Sequence, residues 1–244
     1  MLIKAAINGG RTKAEHPAIP VTPEELVSDV LECLNAGARA IHLHVRSSTG
    51  TESLMPEDIA RTLQALKSAA PQAPIGVTTG AWIVPEPSER FQQVAAWEVQ
   101  PDFASVNFSE QGAVELAQLL LARGVGVEAG LCDPLAAESF LRSGLAPRCL
   151  RVLIEPQEQG LEEALNVVNQ IEAVLARGAV EPTRVLHGTE ATTWPMLEEA
   201  LTRGYGVRVG FEDTLILPDG TAARANAELV TEAVRRSKYR PKIL

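Results

Sequence analysis

Eight alternations of a short β-branched run and a longer amphipathic stretch constrain the fold of this chain more than any other feature. The expected strands cover residues 3–7, 40–45, 74–79, 103–108, 124–131, 149–155, 183–188 and 205–211. Eight units in 244 residues average about 30 residues each, which is the length of a βα repeat. This alternation predicts an α/β fold, a TIM (β/α)8 barrel formed by a single domain over residues 1–244. A doubly wound open sheet is the alternative fold.

The stretches between the expected strands carry start and stop signals of helices. Thr22, Pro23 and Glu24 supply a cap residue, a proline at the first helical position and an acid in the first turn. Gly37 and Gly204 follow two of the expected helices, where glycine is favoured because it tolerates a left-handed conformation.

Polar side chains occupy one face of the expected strands, and apolar side chains occupy the other. On the second strand, His42 and His44 alternate with Ile41, Leu43 and Val45, and successive strand residues point to opposite faces. The third, fourth and eighth strands divide in the same way. In a barrel the polar face lines the interior near the carboxyl ends of the strands, where active sites lie.

The sharpest signal is the pair of histidines two residues apart. His42 and His44 point the same way, and Glu212 at the end of the eighth strand lies one strand away from them in a closed barrel. Two neutral imidazoles and one carboxylate bind a metal ion while leaving positions open for substrate, as in catalytic zinc sites. Other divalent ions fit this pattern too. Two core histidines bonded to their neighbours are the alternative interpretation.

Charged and polar residues near the other strand ends are further candidates. Asp213 can act as a catalytic base, with Arg208 nearby to keep it ionised, although capping a turn is the alternative role. His187 ends the seventh strand and is equally compatible with a structural role. The candidate substrate-binding or rim residues are Thr78, Ser105, Asn107, Arg46, Arg11 and Glu128.

Charge and cysteine content exclude several classes of protein. Lys and Arg total 22 against 31 for Asp and Glu, a formal net charge of −9, so nucleic acid and anionic membranes are poor partners. The three cysteines are widely spaced and form no CxxC motif, which argues against a disulfide framework and favours a reducing compartment. No apolar run approaches the roughly 20 residues needed to cross a bilayer. We therefore expect a cytoplasmic protein.

The sequence resembles the β-keto acid cleavage enzymes, whose founding member cleaves 3-keto-5-aminohexanoate. The resemblance is carried by Ala6-Ile7-Asn8-Gly9, the segment 12–25, Ile41-His42-Leu43-His44-Val45-Arg46, Thr78-Thr79-Gly80 and Val207-Arg208-Val209-Gly210-Phe211-Glu212-Asp213. These motifs are spread over most of the chain.

This resemblance implies a fold, a reaction and a set of residues. The family consists of TIM barrels that bind zinc through two histidines and a glutamate, here His42, His44 and Glu212. It implies a homo-oligomer, a dimer or tetramer, that condenses a β-keto acid with acetyl-CoA to give acetoacetate and a new acyl-CoA by a retro-Claisen route. Asp213 would remove a proton from the acetyl methyl group while Arg208 holds it. Thr78 would be the hydroxyl-bearing residue of the site.

One departure from the founding enzyme bears on the substrate. That enzyme has a glutamate after the strand-1 glycine, which receives the amine of its substrate, whereas this chain has Gly10 and Arg11 there. A cation at this place would repel an ammonium group. We therefore expect a neutral or anionic β-keto acid instead of the amino acid. This chain is also shorter than typical members.

Three other functions are compatible with parts of the pattern. An amidohydrolase-like metallohydrolase also begins with two histidines on a barrel strand, but it requires further histidines on the middle strands. A divalent-metal-dependent aldolase would use the same metal ligands without CoA. A non-catalytic metabolite-binding barrel would have no need of the acid pair that follows Phe211.

Overall fold

The computed structural model describes residues 1–178 and 182–238. In this part of the chain, eight parallel strands form a closed barrel in the order β1 to β8, with β8 paired to β1. Each strand is followed by a helix, so the fold is a single-domain TIM barrel, as the alternation predicts. The strands are β1 Ile3–Ala6, β2 Ala40–Leu43, β3 Ile75–Thr78, β4 Phe103–Asn107, β5 Gly126–Leu131, β6 Arg151–Ile154, β7 Thr183–Leu186 and β8 Gly206–Val209.

The helices begin and end close to the residues that the sequence indicates. They are α1 Pro23–Ala36, α2 Pro56–Ala69, α3 Pro87–Ala95, α4 Ala113–Ala122, α5 Pro134–Ser143, α6 Leu161–Arg177, α7 Thr193–Arg203 and α8 Asn226–Lys238. Thr22 accepts a hydrogen bond from the Glu25 amide in a capping box, and Gly37 ends α1 in a left-handed conformation. These caps satisfy backbone groups that a helix leaves unpaired at its ends.

The main core lies between the barrel and its surrounding helices. Ile41, Leu43 and Val45 are buried on the outer face of β2 and its extension, as the alternation of the sequence predicts. The interior of the barrel holds the polar residues of the opposite face, including His42 and Arg208. The polar side chains that could take part in catalysis therefore lie at the carboxyl end of the barrel.

Most strands are shorter at their carboxyl ends than expected, because the chain leaves the sheet ladder there. The His44 amide donates to Asn8 Oδ1 at 2.8 Å instead of to a strand, and the Phe211 amide donates to Asn226 Oδ1 at 2.6 Å. His44, Glu212 and Asp213 consequently stand on the turns that follow β2 and β8. Within the described residues, no helix is both long enough and apolar enough to cross a membrane.

Candidate active site

Two imidazoles and one carboxylate converge at the carboxyl end of the barrel. His42 Nε2 lies 3.5 Å from Glu212 Oε2, and His44 Nε2 lies 3.4 Å from Glu212 Oε1. One ligand atom from each of the three residues lies within 4.8 Å of the other two. Residues far apart in the sequence thus meet because β8, β1 and β2 are adjacent in the closed barrel.

The turn after β1 holds these three side chains in place. The Asn8 amide group is fully buried, and it donates to the His44 carbonyl at 2.9 Å while its oxygen accepts from the His44 amide. Gly9 has a φ of +54°, and a Cβ atom there would lie 2.4 Å from Glu212 Cγ. Only glycine gives Glu212 room to approach the histidines at this point.

The electrostatics of the three residues suit a metal ion. Burial lowers the pKa of His42 well below its ordinary value, which favours the neutral imidazole that binds metals. Burial alone would raise the pKa of Glu212, but Arg208 and the two histidines hold it well below its ordinary range. Glu212 Oε2 is also a buried atom with no hydrogen-bond partner among the described residues. A divalent cation would satisfy this carboxylate oxygen.

Glu52 and Trp82 form a second layer around His44 that the sequence does not reveal. Glu52 Oε1 lies 2.5 Å from His44 Nδ1 and accepts a hydrogen bond from Trp82 Nε1 at 3.1 Å. The Trp82 ring stacks on the His44 ring, with 5.8 Å between centroids. A carboxylate on one ring nitrogen leaves the other free for a metal. Although burial opposes it, Glu212 and Glu52 raise the pKa of His44, so a metal would compete with a proton there.

A second charged cluster adjoins the three residues. Arg208 donates to both carboxylate oxygens of Asp213, with Nη2 2.7 Å from Oδ1, and also to Glu212. His187 Nδ1 lies 3.5 Å from Asp213 Oδ1, and its Nε2 lies 3.4 Å from Glu155 Oε2. Burial would raise the pKa of Asp213, but Arg208 and His187 lower it. Asp213 is therefore a fully buried carboxylate that keeps its charge.

One cavity of about 500 Å³ opens over both clusters. Its lining includes the three expected rim residues Thr78, Ser105 and Asn107, together with His187 and Trp82. The other lining residues are Gly10, His42, His44, Glu52, Ser109, Cys132, Leu153, Glu155, Gln157, Thr189, Arg208 and Glu212. A space of this size accommodates a small-molecule substrate.

Three of the expected substrate-binding residues lie elsewhere. Glu128 is fully buried deeper in the barrel, where its carboxylate pairs with Lys4 and Arg151. Arg46 donates to the carbonyl oxygens of Gly9 and Arg11, and so holds the β1–α1 loop. A buried carboxylate needs a partner, and the partners of Glu128 are structural cations below the cavity.

Arg11, the third of these residues, is paired with two acids at the rim. Its guanidinium lies 3.3 Å from Glu15 and forms a second ion pair with Glu190. The expectation of a neutral or anionic substrate depends on the positive charge of Arg11, and in the structure two carboxylates neutralise that charge.

The model of one protein family matches residues 1–239, and its description is beta-keto acid cleavage enzyme. The chain belongs to this family. The resemblance drawn from the motifs is thereby confirmed, and the protein is an enzyme that cleaves β-keto acids and transfers acyl groups.

Curated relatives of this β-keto acid cleavage enzyme cover nearly its whole length. A 3-keto-5-aminohexanoate cleavage enzyme from Acetoanaerobium sticklandii is 28% identical over 98% of this chain and 92% of its own. A 3-oxoadipate:acetyl-CoA acetyltransferase from Cupriavidus necator is 28% identical over 95% of this chain and 86% of its own. Both names describe enzymes that act on 3-keto acids.

Solved structures support the fold of this family member. ObcA, solved as a binary complex with oxaloacetate, superposes with a TM-score of 0.70 at 18% identity. The match covers 90% of this chain and spans 63% of the length of ObcA. At this identity the likeness supports the barrel architecture alone.

Proposed function

We propose that this enzyme condenses a β-keto acid with acetyl-CoA and releases acetoacetate and a new acyl-CoA. The observation that carries the proposal is the convergence of His42, His44 and Glu212, beside the Arg208–Asp213 pair, over one cavity. The reaction balances, because the acyl part of the keto acid moves to the CoA sulfur and the acetyl group leaves in acetoacetate. The acetyltransferase relative from Cupriavidus necator supports acetyl-CoA as the co-substrate.

Zinc is the metal that we propose for His42, His44 and Glu212. The donor set of two imidazoles and a carboxylate is the zinc type, and Glu52 on His44 gives the supporting hydrogen bond that such ligands have. When bound, a zinc ion supplies Lewis acidity where negative charge develops on the keto oxygen. Thr78, Ser105 and Asn107 lie around the cavity and offer hydrogen bonds to the substrate.

Asp213 is the proposed base of the reaction, and Arg208 holds it. Asp213 itself has no exposed surface, whereas His187 lies against it and lines the cavity. We assign His187 as the contact between Asp213 and the substrate space. For the acetyl group to leave in acetoacetate, its carbonyl carbon must bond to C2 of the keto acid, so the proton that this base accepts is the one on C2 and not one on the acetyl methyl group. An oriented acceptor of this kind contributes typically about 10²- to 10⁴-fold to a rate.

The test is a direct assay of purified enzyme loaded with zinc. Acetyl-CoA and a panel of β-keto acids are supplied, and acetoacetate and the new acyl-CoA are measured by mass spectrometry. We expect the two products in equal amounts and no turnover after chelation of the metal. Cleavage of the keto acid without consumption of acetyl-CoA would favour a metal-dependent aldolase and overturn the proposal.

An amidohydrolase-like metallohydrolase fits the chain less well. Such a site requires histidines on the middle strands, and β5 and β6 carry none. The cytoplasmic location and the homo-oligomeric state remain predictions from the sequence and its family resemblance.

A further inference from the structure

Glu52 has one carboxylate oxygen that its contacts leave available to a ligand. Oε1 is occupied by His44 Nδ1 at 2.5 Å and by Trp82 Nε1 at 3.1 Å. These two donors fix the plane of the carboxylate and thereby the direction of Oε2. The side chain is 17% exposed and lines the cavity. Oε2 is consequently an oriented acceptor on the cavity wall.

Glycine at position 10 opens the space in front of this oxygen. A Cβ atom on Gly10 would lie 3.4 Å from Glu52 Oε2 as its nearest neighbour. The wall at this place is therefore formed by the Glu52 carboxylate and the Gly10 backbone, without a side chain from the β1–α1 loop. The polar group that a substrate meets here comes from the loop after β2.

The two nearby arginines are engaged in other contacts. Arg11 is paired with Glu15 and Glu190, and Arg46 donates to the carbonyl oxygens of Gly9 and Arg11. Neither guanidinium is in a position to bind a second carboxylate of a substrate, whereas Glu52 would repel one. The charged group that this wall presents to the cavity is therefore the Glu52 carboxylate.

We propose that Glu52 determines the substrate specificity of this site, by accepting a hydrogen bond from an ammonium or hydroxyl group on the side chain of the β-keto acid. The inference rests on the proposed function, and it replaces the expectation, drawn from Arg11, of a neutral or anionic substrate instead of one that bears an ammonium group. A keto acid with a second carboxylate is disfavoured, because like charges across a desolvated wall are strongly unfavourable.

The experiment compares wild type and Glu52→Gln on three β-keto acids that differ only in a side-chain ammonium, methyl or carboxylate group. In the variant, His44 and Trp82 hold the amide oxygen at the Oε1 position, which places an NH2 donor at Oε2. Loss of a hydrogen bond to a charged group weakens binding by about 10- to 150-fold, so the ratio of kcat/KM for the ammonium over the carboxylate substrate should fall by about that factor. The methyl substrate should change least.

A control variant and a second readout separate this role from a structural one. Glu57→Gln removes one negative charge from the exposed first turn of α2, near the same loop but outside the cavity wall, and it should leave the ratio unchanged. If Glu52 only orients His44, Glu52→Gln lowers kcat/KM equally for all three substrates. The ratio of kcat/KM for ammonium over carboxylate then stays constant, which would overturn the inference.

Binding of the same keto acids, measured by calorimetry, is independent of turnover. Equal wild-type affinity for the ammonium and carboxylate compounds would also overturn the inference. Selective binding of the ammonium compound without any turnover of acetyl-CoA would support the role of Glu52 in substrate specificity and would contradict only the proposed reaction.

Discussion

Glu128→Gln should reduce stability and leave substrate affinity intact, because Glu128 belongs to a buried ion cluster below the cavity. Lys4 Nζ lies 2.6 Å from Glu128 Oε2 with both side chains fully buried, and Arg151 Nε lies 2.6 Å from Oε1. Removing one partner of a buried pair costs about 3–5 kcal/mol. For a chain of this length each kcal/mol shifts Tm by about 2–4 °C, so Tm should fall by roughly 6–20 °C.

Thermal unfolding followed by circular dichroism measures this loss, and KM for the keto acid is read well below Tm. Burial lowers the pKa of Lys4. In the Glu128→Gln variant, the Lys4 ammonium group, which has lost its carboxylate partner, can therefore become neutral by losing a proton. The Tm deficit should therefore shrink toward alkaline pH. The double variant Lys4→Met, Glu128→Gln removes the stranded cation and should recover part of the loss. An unchanged Tm together with a tenfold or larger rise in KM (about 1.4 kcal/mol of lost binding) would refute the reasoning and return Glu128 to the substrate site.

Three other substitutions test the site and the core. His42→Ala should lose bound metal and turnover together, measured by metal analysis and by mass spectrometry of the two products; wild-type activity in a metal-free variant would refute the ligand assignment. Asp213→Asn should retain the metal yet lose about 100-fold or more in kcat, and a nearly unchanged rate would remove Asp213 as the base. Asp29 is buried against Asn226, and burial raises its pKa from 3.8 to about 7. Its folded state therefore binds the proton more tightly, and wild-type stability should fall as pH rises from 3.8 to about 7. Asp29→Asn should be relatively more stable above that window, by up to about 4 kcal/mol in chemical denaturation; a difference from wild type that does not vary with pH would contradict this.

The barrel was predictable because its signals are local and repeat along the chain. Alternation within each strand separates Ile41 and Leu43 from His42, and proline at the first helical position marks the start of α1 at Pro23. The strand ends were less predictable, since they depend on where the chain leaves the ladder. The amide of His44 bonds to the Asn8 side chain, a contact between residues 36 positions apart that no periodicity encodes.

Within the site, too, the positions set by strand periodicity were predictable and those set by tertiary contacts were not. His42 and Glu212 were predictable as neighbours, because barrel closure fixes which strands adjoin and the period of two fixes which side chains point inward. Glu52 and the partners of Arg11 were not, because they lie on loops whose course depends on tertiary contacts. Glu190, which pairs with Arg11 from 179 positions away, adopts a positive φ of 48° that the sequence gives no sign of.

His187 and Asp213 share the proposed role of catalytic base, which the sequence alone assigns to Asp213. Asp213 is 0% exposed and both of its oxygens accept from Arg208, so it has no surface with which to meet a substrate atom. His187 is also buried but lines the cavity, and its two ring nitrogens lie toward Asp213 and Glu155. In the proposed reaction, a proton that leaves the substrate would reach Asp213 by way of His187, or it would stop on an imidazole that Asp213 orients and stabilises when charged. In either case Arg208, which lies beneath Asp213 at the carboxyl end of β8, holds the pKa of this acid below its ordinary value, where burial alone would raise it.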